Sequence, residues 1–271
     1  MANIDHIGAI MSGSLIPAGR RSGMLSQIKE KGFAAVEDLA EKFDVSVITI
    51  RRDLDQLESD GLIERTHGGA IYTRHIASES PYKVKNIRNH KLKTAIGRRA
   101  AKIADAGDTV FVNSGSTTFQ IIMALLNLPD IRIITNNITA VLEADPGPDN
   151  QLLLIGGQYR FNSGCTIGSF AAEMIRGLNV SKTFIGADGI SLKSGITSPI
   201  AEEAAVTRMM IERTAGAVIV AADSSKVGSV STFSTASLEQ ADYLVTDNNF
   251  DESFRPDFEE AGIKIIKAGG M

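Results

Sequence analysis

The spacing of apolar residues near the start of the chain predicts two short helices joined by a tight turn. In residues 36–43 apolar side chains recur at a helical period, and residues 44–46 interrupt it. Residues 47–57, drawn at about 100° per residue, separate an apolar stripe from a polar face. The stripe consists of Val47, Ile50, Leu54 and Leu57. Two helices joined this closely are typical of a helix-turn-helix.

The second of these helices has the features of a DNA-recognition helix. Ser46 directly precedes it and is a favoured N-cap residue, because its hydroxyl can accept a hydrogen bond from an amide of the first turn. The face opposite the stripe carries Ile48, Thr49, Arg52 and Gln56. In helix-turn-helix proteins the first turns of this helix contact bases. We therefore expect the three polar side chains to reach base edges and the isoleucine to touch a thymine methyl group.

The flanking segments complete a larger motif. A helix predicted over residues 20–31 would pack on the first two and close a three-helix core. Downstream, the short β-like runs 62–65 and 70–73 flank a glycine-containing turn, which favours a hairpin. Three helices followed by a hairpin predict a winged helix-turn-helix.

Phosphate contacts are expected from Arg51, which lies nearer the apolar stripe, and from the hairpin residues Arg65 and His67. The alternative is a structural three-helix domain in which the arginines only solvate a charged face. The N-cap, the amphipathic helix and the hairpin occur together here, so the pattern favours the DNA-binding interpretation.

From residue 90 onward, helical stretches alternate with short apolar runs rich in valine and isoleucine, as in buried parallel strands. The runs are Thr109–Val112, Ile131–Thr135, Leu152–Ile155, Thr183–Gly186, Val218–Ala221, Tyr243–Thr246 and Ile263–Ile266. Helices are predicted over residues 118–126, 202–214 and 253–261. This alternation predicts a Rossmann-like α/β domain, in which ligands bind beyond the carboxyl ends of the strands.

One loop at such a strand end has the composition of an anion site. The run Asn113-Ser114-Gly115-Ser116-Thr117-Thr118 follows a strand and opens a helix, so backbone amides, hydroxyls and the positive helix end converge. The chain lacks the GxxxxGK[ST] and GxGxxG motifs, which argues against a nucleoside triphosphate or a dinucleotide. The alternative is that these hydroxyls only cap the helix. Polar loops at other strand ends contain Asn136, Gly157, Asp188 and Lys226.

Length and charge agree with two domains, which we expect over residues 20–75 and 76–271. The net charge of −4 is unusual for a protein whose whole surface binds nucleic acid. Residues 74–102, however, contain nine lysines and arginines and one acidic residue. We expect either that this basic segment lies near DNA phosphates or that it is a solvated connector and helix face.

Several classes of protein are disfavoured. The single cysteine, Cys165, excludes an intrachain disulfide, and the four histidines form no ligand cluster, so neither a metal site nor a cofactor is expected. The chain shows no basic leader before Arg20, and its longest uncharged stretch, residues 109–129, is broken by polar residues. We therefore expect a reduced, cytoplasmic protein without a membrane partner.

The run LAEKFDVSVITIRRDLDQLESDGLIERTHGGA, residues 39–70, resembles the N-terminal domain of DeoR-type (DeoR/GlpR) bacterial transcriptional regulators. TIRRDL followed by HGGA is its specific signature. The later loops match the DeoR-type effector domain in order and, through it, are similar to the sugar-phosphate isomerase superfamily that includes ribose-5-phosphate isomerase. The resemblance covers roughly residues 20–268.

This resemblance implies a repressor of a carbohydrate-utilisation operon that binds operator DNA, responds to a phosphorylated sugar and forms a homodimer or homotetramer. The effector-binding residues so implied are Ser114, Gly115, Ser116, Thr117, Thr118, Asn136, Gly157, Asp188, Glu203 and Lys226. One departure is Thr207, where many relatives have a lysine, and it puts contacts from that helix in question.

Two other functions remain open from the sequence. A sugar-phosphate isomerase with a DNA-binding appendage would cast Asp188, Glu203 and Lys226 as acid and base. Residues 192–197 match the glycine-rich lysine loop of those enzymes poorly, so we expect no catalytic residues. In the third alternative the chain binds DNA constitutively and its second domain only oligomerises.

Overall fold

The computed structural model describes residues 17–31, 33–60, 62–66, 68–72 and 81–269. The chain divides between residues 73 and 74 into two compact units. Within the described ranges, no helix is long and apolar enough to cross a membrane.

The first unit contains three helices and a small antiparallel sheet, as in a winged helix-turn-helix. Its elements are α1 (Pro17–Lys31), β1 (Phe33–Ala35), α2 (Val36–Phe43), α3 (Val47–Ser59), β2 (Ile63–Thr66) and β3 (Gly69–Tyr72). The sheet order is β1-β3-β2. The predicted helices and hairpin are confirmed. Strand β1 was not predicted, because its three residues show no distinctive pattern.

The core of this unit is the predicted apolar stripe packed on the other two helices. Ile50 and Leu54 of α3 are fully buried against Met24 and Ile28 of α1 and Leu39 of α2. Burying side chains of this size stabilises a fold by roughly 1.5–3 kcal/mol each. The stripe therefore determines which face of α3 remains outside.

A buried ion pair also joins α3 to α1. Arg20 Nε lies 2.5 Å from Asp53 Oδ2, and Arg21 Nη1 lies 3.4 Å from Asp53 Oδ1. The side chains of Arg20 and Asp53 are 9% and 6% exposed. Charges in such a place are tolerated only when they are paired. Asp53 belongs to the TIRRDL signature, and the structure gives it an internal role.

The second unit is an α/β domain. Its helices are α4 (Tyr82–Ile87), α5 (His90–Ala101), α6 (Ser116–Leu125), α7 (Ile138–Glu143), α8 (Ser169–Arg176), α9 (Ala201–Glu212) and α10 (Arg255–Glu260). Short 3₁₀ helices span Ser224–Lys226, Leu238–Gln240 and Glu252–Phe254. Its strands are β4 (Thr109–Val112), β5 (Arg132–Thr135), β6 (Gln151–Leu154), β7 (Gln158–Arg160), β8 (Cys165–Ile167), β9 (Val180–Ile185), β10 (Gly189–Ser191), β11 (Gly195–Ser198), β12 (Thr214–Ala221), β13 (Phe233–Ala236), β14 (Tyr243–Thr246) and β15 (Lys264–Lys267).

Every predicted apolar run forms a strand of one seven-stranded sheet, in the order β15-β14-β12-β9-β4-β5-β6. All neighbouring pairs are parallel, which confirms the predicted α/β class. Because the strands are parallel, their carboxyl ends share one edge of the sheet, and the loops that follow them meet there.

The structure extends β9 toward its N-terminus beyond the predicted run. Its early residues are polar: the Ser181 hydroxyl donates to Asp108 at 2.7 Å, and Lys182 Nζ lies 2.8 Å from Asp105. Polar pairing of this kind removes the apolar signal that the prediction used. The small antiparallel sheets β7-β8 and β10-β11-β13 were likewise not predicted, because polar residues and glycine interrupt the apolar pattern of their strands.

We predict that Asp53→Ala destabilises the first unit by roughly 3 kcal/mol, because it leaves the Arg20 guanidinium buried without its carboxylate. Chemical denaturation of the full chain, followed by circular dichroism, measures the change. Glu41→Ala, on the exposed side of α2, is the control and should change stability by less than about 0.5 kcal/mol. Equal stability of Asp53→Ala and the control would contradict this role.

Candidate functional site

The outer face of α3 presents the residues expected to contact DNA. Ser46 accepts a hydrogen bond from the Thr49 amide at 3.2 Å, as expected of an N-cap. Arg51 and Arg52 are exposed, and Ile48 is 65% exposed. An isoleucine this exposed at the start of a helix gains nothing from the core, so its position suits contact with another molecule.

Three expected DNA contacts have other partners within the unit. The hydroxyls of Thr49 and Ser46 share a hydrogen bond of 2.9 Å. Arg65 Nη1 donates to the Arg51 carbonyl at 3.1 Å and forms an ion pair with Asp55. Its guanidinium therefore fastens the hairpin to α3, and the expected phosphate contact stays a prediction for a side chain that is 21% exposed. Gln56 Nε2 donates to Asp60 Oδ1 at 2.9 Å. His67 lies outside the described residues.

The second unit contains a cleft at the carboxyl edge of its sheet. It is lined by Tyr82, Lys85, Lys93, Asn113, Ser114, Gly115, Ser116, Thr117, Ser163, Gly186, Ala187, Asp188, Thr197, Ser198, Glu203, Thr207, Lys226 and Thr235. The lining is rich in hydroxyls and charged groups, which suits a polar, hydroxylated ligand.

The loop before α6 forms part of the wall of this cleft. Gly115 precedes the helix with φ of 151°, a conformation that L side chains rarely adopt. Its carbonyl accepts from the Thr118 hydroxyl at 3.1 Å and from Asn137 Nδ2 at 3.3 Å. The first amides of a helix have no partner within it, so Ser116 and Thr117 present donors at the positive end of α6.

The side chain of Asn113 holds three elements of the cleft together. Its Oδ1 accepts from the Gly186 amide at 2.9 Å, after β9, and its Nδ2 donates to Thr207 Oγ1 at 3.1 Å, in α9. The backbone N–H of Asn113 also donates to the Phe184 carbonyl, at 3.1 Å. The side-chain amide of Asn113 thus joins the ends of β4 and β9 to α9.

Three lysines face the cleft: Lys85, Lys93 and Lys226. Lys93 is only 5% exposed, and its Nζ donates to the carbonyls of Arg88, at 2.8 Å, and Lys85. Burial lowers the pKa of Lys93 to about 8. The neighbouring cations add to this decrease, and Asp223 opposes it. Lys93 therefore remains largely protonated at neutral pH and adds positive charge to the site.

Two carboxylates balance these lysines. Asp188 Oδ1 lies 2.6 Å from Lys85 Nζ. Glu203 accepts a hydrogen bond from the Ser163 hydroxyl and lies 3.4 Å from Arg160 Nη1. Burial raises the pKa of Glu203, while the Ser163 hydrogen bond and Lys85 oppose the rise. Each acid is thus paired within the domain.

The sequence comparisons identify both units. Residues 20–75 match the family model for the DeoR-like helix-turn-helix domain, and residues 88–248 match the model for the DeoR C terminal sensor domain. The chain belongs to the DeoR family. It is a DNA-binding transcriptional regulator with a sensor domain.

The similarity to DeoR family members extends along the whole chain. The HTH-type transcriptional regulator GlpR of Haloferax volcanii is 33% identical over 93% of this chain and 98% of its own length. The transcriptional repressor AccR of Agrobacterium fabrum is 32% identical over 84% and 89%. The lactose phosphotransferase system repressor of Lactococcus lactis is 30% identical over 92% and 98%. Among solved structures, ribose 5-phosphate isomerase A of Methanocaldococcus jannaschii matches with a TM-score of 0.38, 18% identity, and 51% and 55% coverage.

In this DeoR family member the cleft contains most of the expected effector residues, namely Ser114, Gly115, Ser116, Thr117, Asp188, Glu203 and Lys226. Three others have different contacts. Thr118 is fully buried below the loop, and Asn136 Nδ2 donates to the Thr166 carbonyl at 2.9 Å. A Cβ on Gly157 would lie 2.6 Å from the Ile167 carbonyl oxygen. These three shape the domain and are absent from the lining.

The departure at Thr207 has a structural explanation. Thr207 is 6% exposed and accepts the Asn113 hydrogen bond, so it connects α9 to the sheet. Contact from this helix to the cleft is retained through Glu203.

Sequence reasoning missed several lining residues, among them Tyr82, Lys85, Lys93, Ser163, Thr197, Ser198 and Thr235. The excess of basic residues in 74–102 was a usable signal, but we considered only DNA phosphates or a solvated connector and helix face as its explanation. The structure places Lys85 and Lys93 of that segment in the cleft.

Proposed function

We propose that this DeoR family regulator represses a carbohydrate-utilisation operon and that a phosphorylated sugar controls it. The observation that carries the proposal is the cleft, in which the amides and hydroxyls of Ser116 and Thr117 share one space with Lys93 and Lys226. Relatives named as a lactose phosphotransferase system repressor and as a transcriptional repressor support the sign of regulation and the sugar class.

The two ends of a sugar phosphate match two kinds of group in the cleft. A helix N-terminus with nearby lysines favours the phosphate. Hydroxyls of Ser163, Thr197, Ser198 and Thr235, with the carboxylates of Asp188 and Glu203, suit the sugar hydroxyls. A ligand that lacked either end would contact only part of the lining.

We do not favour catalysis as a second function. Asp188 is paired with Lys85, Glu203 with Ser163, and Lys93 with backbone carbonyls. Burial raises the pKa of the Cys165 thiol to about 12, so it is a poor nucleophile. The named relatives are transcriptional regulators.

We also propose a cytoplasmic location, because the regulator must have access to its operator.

For DNA, we propose that Thr49 and Arg52 contact bases, that Ile48 meets a thymine methyl group and that Arg51 contacts a phosphate. The exposure of Ile48, Arg51 and Arg52 on α3 supports these roles. Gln56 reaches a base only if it leaves Asp60.

We also propose a homodimer or homotetramer, because helix-turn-helix proteins read two half-sites with paired recognition helices. Exposed apolar side chains on β6, β7, α7 and α8 support self-association through the sensor domain. They are Leu142, Leu154, Tyr159, Phe161, Phe170 and Met174.

The DNA interface can be tested with Arg52→Ala. If Arg52 reads guanine, affinity for the operator should fall by about 1–3 kcal/mol, and affinity for random DNA should change little. Fluorescence anisotropy at one fixed salt concentration measures both, with an operator obtained by selection from random sequences. Arg176→Ala, in α8, is the matched control. Equal losses on operator and random DNA would reject base reading by Arg52.

The effector class can be tested by thermal unfolding of the full chain against aldose and ketose phosphates and the same sugars without phosphate. A phosphorylated sugar at 100 times its dissociation constant should add about 2.7 kcal/mol of stability to the sensor domain. Ser116→Ala and Lys226→Met should reduce this shift, whereas Lys102→Met, at the exposed end of α5, should retain it. Equal shifts with unphosphorylated sugars would refute the proposal.

Assembly can be tested by sedimentation of the full chain. The wild type should sediment as a dimer or tetramer, and Phe161→Lys with Phe170→Lys should shift it toward monomer, because charges replace apolar side chains that are 76% and 80% exposed. Leu62→Lys, in the other unit, is the control. A monomeric wild type that binds a palindromic operator with full affinity would contradict assembly.

A further inference from the structure

The cations of residues 82–104 divide into two groups. This stretch contains eight lysines and arginines and no aspartate or glutamate, in a chain whose net charge is −4. Two of the eight line the cleft. Lys91, Arg98 and Lys102 belong to the other group, because they are exposed and absent from the lining. The proposed effector site therefore leaves these three charges without a role.

The three exposed cations form one stripe on α5. At about 100° per residue, Lys91, Arg98 and Lys102 fall within about 40° of one another. Lys102 is the C-cap residue and keeps a right-handed helical backbone, so it continues the stripe. The opposite side of the helix carries the buried Ile96 and Ala100. We call the three cations the basic face of α5, and at 1.5 Å per residue it is about 16 Å long.

The stability of the helix explains only part of this stripe. Arg98 and Lys102 lie at the C-terminal end of α5, where cations complement the helix dipole. Lys91, however, lies in the first turn, where a cation opposes the dipole and no acidic residue offsets it. The first acid after the helix, Asp105, lies 2.8 Å from Lys182 Nζ. An anion from outside the domain would match all three cations.

Duplex DNA fits this face in charge and in spacing. It carries one negative charge per roughly 1.7 Å of its axis and rises about 3.4 Å per base pair, so the basic face matches the backbone of roughly five base pairs. Nine positions separate the last strand of the DNA-binding unit, which ends at Tyr72, from α4, which begins at Tyr82. DNA held by that unit is therefore at high effective concentration around the sensor domain. An anionic membrane or an acidic protein has no such tether.

The basic face also lies apart from the surface that we propose for assembly. Helix α5 packs against α6, β12 and β14. The assembly surface includes β6, which is the edge strand at the other end of the sheet. Self-association through β6 and its neighbours would therefore leave the basic face open to DNA.

We propose that the sensor domain binds DNA directly: the basic face of α5 contacts backbone phosphates of operator DNA, in addition to the contacts made by α3. This inference rests on the DNA binding of the family and does not depend on the proposed effector. Phosphate contacts carry no sequence information. The basic face therefore adds affinity and salt dependence without adding a base preference.

The first test measures the salt dependence of DNA binding by the full chain. The triple variant Lys91→Gln, Arg98→Gln, Lys102→Gln should lower the slope of log affinity against log salt concentration by about 3 for each bound protomer, because each lost phosphate contact removes about 1. Its affinities for operator and random duplex should fall by the same factor. Fluorescence anisotropy at several salt concentrations measures both.

The control for this test is the triple variant Arg176→Gln, Lys193→Gln, Lys264→Gln. It changes the net charge by the same amount at exposed positions of the sensor domain, so it separates the position of the charges from their number. The control should keep the wild-type slope. Equal slopes in the two triple variants would overturn the proposal.

A second test measures proximity to DNA and does not depend on charge. Cys165 is fully buried, so a cysteine introduced at an exposed position can be labelled selectively. An iron chelate on Lys91→Cys, which generates hydroxyl radicals, should cleave the operator duplex over a few base pairs. The same label on Glu212→Cys should not, because α9 packs on the opposite face of the sheet from α5. Absence of cleavage from position 91, or equal cleavage from both positions, would overturn the proposal.

Vesicles of phosphatidylglycerol test another anionic partner. If the Lys91, Arg98, Lys102 variant keeps the wild-type slope on DNA but loses binding to these vesicles, the basic face serves a membrane surface and the proposal is overturned. The thermal shift with a sugar phosphate reports only on the cleft, so failure of the proposed effector and failure of this inference are distinguishable.

Discussion

The sensor cleft depends on the side-chain amide of Asn113. Its oxygen and nitrogen are both engaged, with the Gly186 amide and the Thr207 hydroxyl, so the ends of β4 and β9 and the middle of α9 have one relative position. All three elements contribute lining residues. Because a buried polar group without its partner costs roughly 1–3 kcal/mol, moving any one of them is unfavourable. The loop that follows Asn113 is therefore held in one position by the elements around it.

Against this rigid floor, the charges of the cleft are balanced by pairs that a ligand can exchange. Lys85 pairs with Asp188, and Glu203 is engaged by Ser163 and Arg160. Lys93, in contrast, is committed to backbone carbonyls. The proposed sugar phosphate would therefore meet the fixed loop before α6 on one side of the cleft and the Lys85–Asp188 pair on the other.

The DNA-binding unit separates support from recognition in a similar way. Asp53 points inward to Arg20, and Arg65 fastens the hairpin to Asp55, so two charged residues of the signature region orient α3. Ile48 and Arg52 remain on its outer face. The consecutive charged residues Arg52 and Asp53 of α3 therefore differ in exposure, and the buried stripe of α3 decides which of them faces inward.

The sequence by itself determined the winged helix-turn-helix, the Ser46 cap and every strand of the parallel sheet, because period, capping and apolar runs are local properties of the chain. It also located the cleft-lining loop of residues 113–117, which lies between a strand and a helix that are adjacent in sequence. Only the tertiary structure decided that Lys85 meets Asp188, which is 103 positions away, and that Asn136 turns inward. Contacts across such distances depend on how strands and helices are stacked, and no local pattern encodes that.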